Sequence, residues 1–283
     1  MNKKLLSLYG LKWNPFAQDL PAEALRTTAA IDSFCWRIEQ SLVREGGFAE
    51  IAGDSGTGKS VALRILAERL DAIGEMTVGA FQHPQSNVAD FYRELGDLFG
   101  VPLRPHNRWG GFKALRERWQ AHIDSTLVRP VLLADEAQEI SPAVLSELRI
   151  LTSTRFDSRS ILTVVFSGDH RLREKFRRPE LVPLGSRIRT RLVLEPLPRE
   201  ELVETLRHLT RTAGNAKLMT AELMATLADH CLGNLRALTT MADELLAVAA
   251  QREATHLDEK LFLETFAVTR PSKAAKRGAG SRT

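Results

Sequence analysis

Apolar positions along the chain change their spacing near residue 196. Before that point lie five short apolar runs: GFAEIAG (47–53), MTVGAF (76–81), PVLLAD (130–135), ILTVVFSG (161–168) and RLVLEP (191–196). The runs are short and do not alternate strictly, so they read as strands buried on both faces. Between them, VALRILAERLDAI, VADFYRELGDLFG and SPAVLSELRILTS repeat apolar residues at helical spacing. The last opens on Ser141 as a cap, with Pro142 in the first turn. Strands alternating with helices predict an α/β domain, a five-stranded parallel sheet with helices on both faces. From Pro198 onward only the helical period remains, in PREELVETLRHLTRTAG, TAELMATLADHCLG, LRALTTMADELLAVAAQREA and DEKLFLETFAVT. The expected division is an N-terminal linker and helix (1–46), the α/β core (47–197), a small all-helical domain (198–269) and a tail (270–283). No internal repeat is visible.

Composition narrows the setting. At 283 residues and 43% hydrophobic, the chain can fill a core of its own without staples. The two cysteines, Cys35 and Cys231, match neither a disulfide framework nor a zinc spacing, so a reduced cytoplasmic compartment is expected. No apolar run reaches the length of a membrane span, and the opening MNKKLLSLYGLKWNPF is broken by Trp13, Asn14 and Pro15. Neither a leader peptide nor a membrane span is expected. The net charge of +4 is concentrated at one end: residues 270–283 carry five cations and no acid, which leaves a body at −1. That tail has no apolar periodicity and is expected to be disordered; it is either a solubilising end or an electrostatic aid to nucleic-acid binding.

The strongest chemical signal is GDSGTGKS, in which Gly53, Gly58, Lys59 and Ser60 fit the phosphate-loop spacing directly after a strand and at the start of a helix. The glycines permit positive φ and close backbone approach, and backbone N–H groups face the phosphates. Lys59 neutralises phosphate charge and Ser60 ligates Mg²⁺. Residues Gly53, Asp54, Ser55, Gly56, Thr57, Gly58, Lys59, Ser60 and Val61 are therefore the expected nucleotide contacts, with ATP and Mg²⁺ as cofactors. The third apolar run ends in Asp135 and Glu136, at the sheet edge where open parallel sheets bind ligands. Asp135 is placed to orient Mg²⁺ or its water, and Glu136 to activate a water against the γ-phosphate. Ser167 and Asp169 close the fourth run, and either is a candidate polar contact to the γ-phosphate. Arg187, Arg189 and Arg191 precede or open the fifth; one of them presented to a neighbouring subunit would stabilise transition-state charge. A solvated basic edge is the alternative for each. GNLR (233–236) starts a helix that brings Arg236 toward the phosphates.

Taken in order, GDSGTGKS, VLLADEAQ, the strand ending FSGD, SRIRTRL and GNLR resemble the AAA+ ATPases over nearly the whole chain outside the tail. More narrowly, YGLKWNPF, DEAQ and LSELRILTSTRFDSRSILTVVFSGD resemble the branch containing the secretion ATPase ExeA and the TniB/TnsC-type regulators of DNA transposition. The resemblance implies a P-loop fold with a helical lid domain, an adenine pocket bordered by Asn14, Pro15 and Phe16, and ATP-dependent assembly into rings or filaments. In the transposition members these assemblies form on DNA, which implies DNA, further copies of this chain and a transposase as partners. Relative to ExeA, no membrane span or cell-wall-binding domain is visible.

One stretch points to DNA without that resemblance. LRPHNRWGGFKALRERW sets Arg104, Arg108, Lys113, Arg116 and Arg118 beside His106, Trp109, Phe112 and Trp119. Cations neutralise phosphates and an aromatic packs on sugar or base. From Phe112 to Trp119 an ordinary amphipathic helix is the preferred reading; before it, Gly110 and Gly111 are expected to let a loop project. Arg104, Arg108, Trp109 and Lys113 are the candidate contacts. HRLREKFRR (170–178) reads as an exposed helix near a subunit contact. The expected function is an ATP-hydrolysing regulator of transposition that oligomerises on DNA. The alternatives are a secretion or helicase-loading accessory and a nucleotide-gated interaction module with little turnover.

Overall fold

The structure, a computed structural model, describes residues 2–103, 107–155 and 158–266. Five strands, β1 (Gly47–Gly53), β2 (Val78–Phe81), β3 (Val131–Ala134), β4 (Thr163–Gly168) and β5 (Ile188–Leu194), form one sheet in the order β2-β3-β4-β1-β5. All neighbouring pairs are parallel. Each strand therefore needs a crossover, and helices supply it: α3 (Lys59–Asp71), α4 (Val88–Phe99), α5 (Arg108–Thr126), α6 (Pro142–Thr152) and α7 (His170–Phe176). Strand period 2 sorts the side chains between two cores. Phe48, Leu132, Val164 and Phe166 face α4 to α7, whereas Ala49, Ile51, Leu133 and Val165 face α3 and α2 (Ala29–Arg37). Residues on both faces are buried, as the uninterrupted apolar runs predict.

The fifth strand starts earlier than the sequence reading placed it. Ile188, Thr190 and Leu192 are buried while Arg189, Arg191 and Val193 are exposed, so β5 is an edge strand whose first half alternates instead of running apolar. The N-terminal segment, expected to be a linker with one helix, carries two. These are α1 (Asn2–Tyr9) and α2, which continues through a π-helical turn at Ile38–Leu42. Helix α5 also begins sooner than expected. Asn107 caps it by accepting from the Gly110 N–H at 2.8 Å, so Gly110 and Gly111 lie in a helical turn and not in a projecting loop.

Beyond β5 come α8 (Arg199–Thr212), α9 (Ala221–Cys231), α10 (Leu235–Gln251) and α11 (Glu259–Phe266). Their apolar faces share a core that also takes in Leu5, Tyr9, Leu11 and Phe16. One main-chain and one side-chain bond tie the N-terminus to it: Lys12 N donates to Ala213 O at 2.8 Å and Asn215 Nδ2 to Tyr9 O at 2.9 Å. By packing, residues 5–16 thus go with the helical unit, and α2 goes with the sheet. Among the described residues no helix is long and apolar enough to cross a membrane.

Candidate nucleotide site

Strand β1 delivers the chain into a loop whose glycines take conformations a side chain resists: φ is +84° at Gly56 and +100° at Gly58. Lys59 opens α3 and is 7% exposed. Its ammonium donates to the Asp54 carbonyl at 3.1 Å, and the same oxygen accepts from Thr57 Oγ1 at 2.9 Å and Thr57 N at 3.3 Å. The loop thus converges its cation and two of its donors on one backbone oxygen, the donor set that suits a phosphate oxygen. Val61, one turn further, packs toward the α2–α3 core.

The strand order puts β1, β4 and β3 side by side, which brings three polar side chains together at their carboxyl ends. Asp135 accepts from Ser60 Oγ at 2.9 Å through one oxygen, and from Ser167 Oγ at 2.7 Å and Glu136 N at 2.9 Å through the other. A hydroxyl and a carboxylate this close fit the oxygen preference of Mg²⁺, which completes its shell with water and substrate phosphates. Glu136 lies next to them in a left-handed conformation, φ 49°, and its carboxylate accepts from Gln138 Nε2. Gln138 is buried and its other amide atom accepts from Asp169 N at 3.3 Å. This bridge between β3 and the end of β4 was missed; its only trace in the sequence is the last letter of DEAQ.

Geometry separates the two candidates at the end of β4. Ser167 is fully buried and bonded to Asp135, whereas Asp169 caps α7 by accepting from Arg171 N at 2.9 Å. Burial alone would raise the Asp169 carboxyl. Hydrogen bonds from the Arg171 side chain and backbone outweigh it and hold the group below the usual carboxylate range.

From the helical unit, Arg236 Nη1 reaches Ser55 Oγ at 3.0 Å. Asn14 donates to Asp243 Oδ1 on α10 at 2.7 Å and accepts from Phe16 N at 3.0 Å; Pro15 and Phe16 are buried, with Phe16 in the core of the helical unit. The arginines before and within β5 are each engaged inside the chain. Arg187 donates to the Pro183 carbonyl, and Arg189 to Glu45 Oε2 at 2.8 Å. Arg191 donates to Glu50 Oε2 at 3.1 Å, directly across from it on β1. Glu50 is 1% exposed and pairs through its other oxygen with Arg173 Nε at 3.4 Å.

Of the candidate DNA contacts, Arg104 lies outside the described residues. Arg108 is bound bidentately to Glu147, a buried carboxylate that also accepts from Tyr92 Oη at 2.6 Å. Its guanidinium is engaged within the chain, which the reading of Arg108 as a phosphate contact did not foresee. Trp109 is 73% exposed and stacks on Phe112, with ring centroids 5.5 Å apart. Lys113 is exposed beside Glu117 at 3.7 Å. Arg116 turns the other way and closes the C-terminal end of α6 by donating to Leu151 O and Ser153 O.

Residues 43–176 match the family model described as AAA domain. The General secretion pathway protein A of Aeromonas hydrophila is 28% identical over 248 residues, covering 86% of this chain and 44% of that protein. This chain spans less than half the length of that relative. Among solved structures, the Aeropyrum pernix ORC2 protein in its ADPNP-ADP complexes superposes with a TM-score of 0.71 at 15% identity, over 90% of this chain and 71% of that one. The Aeropyrum pernix ORC1 protein in complex with DNA gives 0.65 at 14% identity, over 94% and 69%. At these identities the likeness is one of fold. The strand order, the phosphate loop after β1, the acidic end of β3 and the helical unit behind them agree with it: the chain has the P-loop AAA+ fold, and residues 43–176 are similar to the AAA domain.

Proposed function

We propose that this chain binds ATP with Mg²⁺ on the loop from Gly53 to Val61, hydrolyses it, and assembles with further copies on DNA. The observation that carries the reading is the Asp135 carboxylate, bonded at once by Ser60 and Ser167, with Glu136 beside it. Lys59 neutralises the β- and γ-phosphate charge, and Asp135 with Ser60 would hold the metal, which lowers the charge on the transferring group. Glu136 accepts a proton from a water as its oxygen attacks the γ-phosphorus; the bond to the β,γ-bridging oxygen breaks, releasing ADP and phosphate. Ser167 is the preferred polar partner of the γ-phosphate, because Asp169 is committed to capping α7. Arg236 faces the same phosphates from the lid, and the segment from Asn14 to Phe16, seated against α10, borders the adenine.

Assembly completes the site. Arg187 or Arg191 would supply a neighbour's transition-state charge. Arg191 qualifies only if Glu50 releases it. DNA is the proposed polymer partner, met through Trp109 and Lys113. At finer grain we assign the chain to regulation of DNA transposition with a transposase as client, on YGLKWNPF, DEAQ and the segment before FSGD. A secretion accessory is the second reading, favoured by the relative named for the general secretion pathway. Steady-state ATP turnover with and without duplex DNA tests the proposal. Stimulation by DNA supports it, DNA-independent turnover favours the secretion reading, and no turnover with intact ATP binding favours an interaction module.

A further inference from the structure

We infer that Asn234 is a positioning residue for the nucleotide, acting from the lid on the peptide planes of the phosphate loop. This rests on the proposed ATP site. Two consecutive lid residues bond two consecutive loop carbonyls: Asn234 Nδ2 donates to Ser55 O at 3.1 Å and Leu235 N to Gly56 O at 2.8 Å. A trans peptide points its N–H opposite to its carbonyl. Fixing the Ser55 and Gly56 carbonyls toward the lid therefore turns the Gly56 and Thr57 N–H groups away from it, so the lid sets the direction of two successive loop amides.

The fit around this contact is close. A Cβ on Gly56 would stand 2.1 Å from Asn234 Oδ1, so the loop passes under the asparagine with no room to spare. The turn that delivers Asn234 is itself constrained, with φ +47° at Leu232 and +85° at Gly233. Gly233 O accepts from Leu197 N at 3.0 Å, in the segment joining β5 to α8. One turn thus touches both the connection between the two units and the phosphate loop. A change in lid angle reaches the loop amides through Asn234, and an anion seated on those amides holds the lid.

Asn234 has a second duty that a test must separate. Its Oδ1 caps α10 by accepting from Ala237 N at 3.0 Å. Serine caps a helix about as well as asparagine but is too short to donate to Ser55 O. Asn234→Ser should therefore keep the cap and lower the melting temperature by no more than a few degrees, while ADP bearing a fluorescent N-methylanthraniloyl group dissociates about tenfold faster. Asn234→Asp, which keeps the cap and also lacks the donor, should dissociate at least as fast. Combining Asn234→Ser with Arg236→Ala should exceed Arg236→Ala alone. Unchanged dissociation in Asn234→Ser would overturn the inference. So would a melting temperature that falls in step with affinity, or a double variant no worse than Arg236→Ala. Failure of the unaltered chain to bind labelled ADP would instead overturn the nucleotide reading beneath it.

Discussion

Glu136 takes a left-handed backbone conformation that a side chain adopts at a cost, and a residue held this way needs surroundings that fix it. Here Asp135 accepts its N–H and Gln138 donates to its carboxylate. The glutamate is thus aimed by its neighbours and does not itself ligate the Ser60–Asp135 pair, which separates proton transfer from binding. Glu136→Gln is expected to keep ATP affinity within about threefold and to lower turnover by about a hundredfold or more. Lys59→Ala is expected to lose both, since the loop holds no second ammonium to take the proposed role of this buried one. Equilibrium binding beside single-turnover hydrolysis checks the pair, and near-normal turnover in Glu136→Gln would remove it as the base. Glu50 sets a different expectation for Arg191. A carboxylate 1% exposed between two guanidinium groups loses one of them in Arg191→Ala, at a cost of about 1–3 kcal/mol. Urea unfolding of Arg191→Ala should show this cost before any activity is measured.

Elements that bury a continuous apolar run were legible because burial on both faces leaves no other pattern; β3 and β4 are the clear cases. Elements that pack by tertiary contact were not. In helix α1, Leu5 and Tyr9 meet a core formed by helices about two hundred residues later, so the expected N-terminal helix could not be given its bounds or its packing partner locally. Arg108 read as a DNA contact because its partner Glu147 lies in a different helix, and no local spacing reveals such a pair. The phosphate loop, Asp135 and Glu136 were legible since their chemistry fixes their order, whereas Gln138 and Asn234 act through backbone atoms and leave little trace. The helices also carry two histidines that are kept neutral. His122 in α5 and His208 in α8 are both pushed below the ordinary imidazole value, chiefly by burial, with Arg118 opposing the charge at His122. The sign follows from linkage. The unfolded chain binds protons below about pH 6.5 that the folded chain refuses, so stability is full above that value and falls as pH drops toward the depressed folded values. The urea midpoint should be lower at pH 5.5 than at pH 7.5, and His208→Gln should shrink the difference. A midpoint that rises on acidification would contradict both assignments.

At the scale of the whole molecule, charge decides how DNA can be held. Without residues 270–283, which lie outside the described residues, the chain is close to neutral, so the proposed DNA binding would rest on local surfaces repeated by assembly. Assembly itself is testable by mixing. A Lys59→Ala subunit and an Arg187→Ala subunit each lack what the other supplies, so mixed oligomers should regain part of the turnover that neither has alone. Mixed oligomers without rescue would place the arginine outside a shared site. For DNA the geometry ranks the candidates. Arg108 is held bidentately by Glu147. Removing it should therefore lower the melting temperature, because it takes the charged partner from a carboxylate that is only 5% exposed and leaves it the Tyr92 hydroxyl. Trp109 and Lys113 stand on the outer side of α5 with little to hold them in the chain, the tryptophan 73% exposed on its Phe112 support. Trp109→Ala with Lys113→Ala is thus expected to weaken ATP-dependent binding to duplex DNA and to reduce the salt slope, since each contacting subunit loses one phosphate contact worth a slope of about 1. Loss of residues 270–283 should act chiefly on binding without nucleotide. Anisotropy titrations over a salt series in the presence of ATP decide the matter. If the double variant keeps the slope of the unaltered chain, α5 does not face DNA, and the basic helix from His170 to Phe176 with Arg177 and Arg178 becomes the surface to alter next.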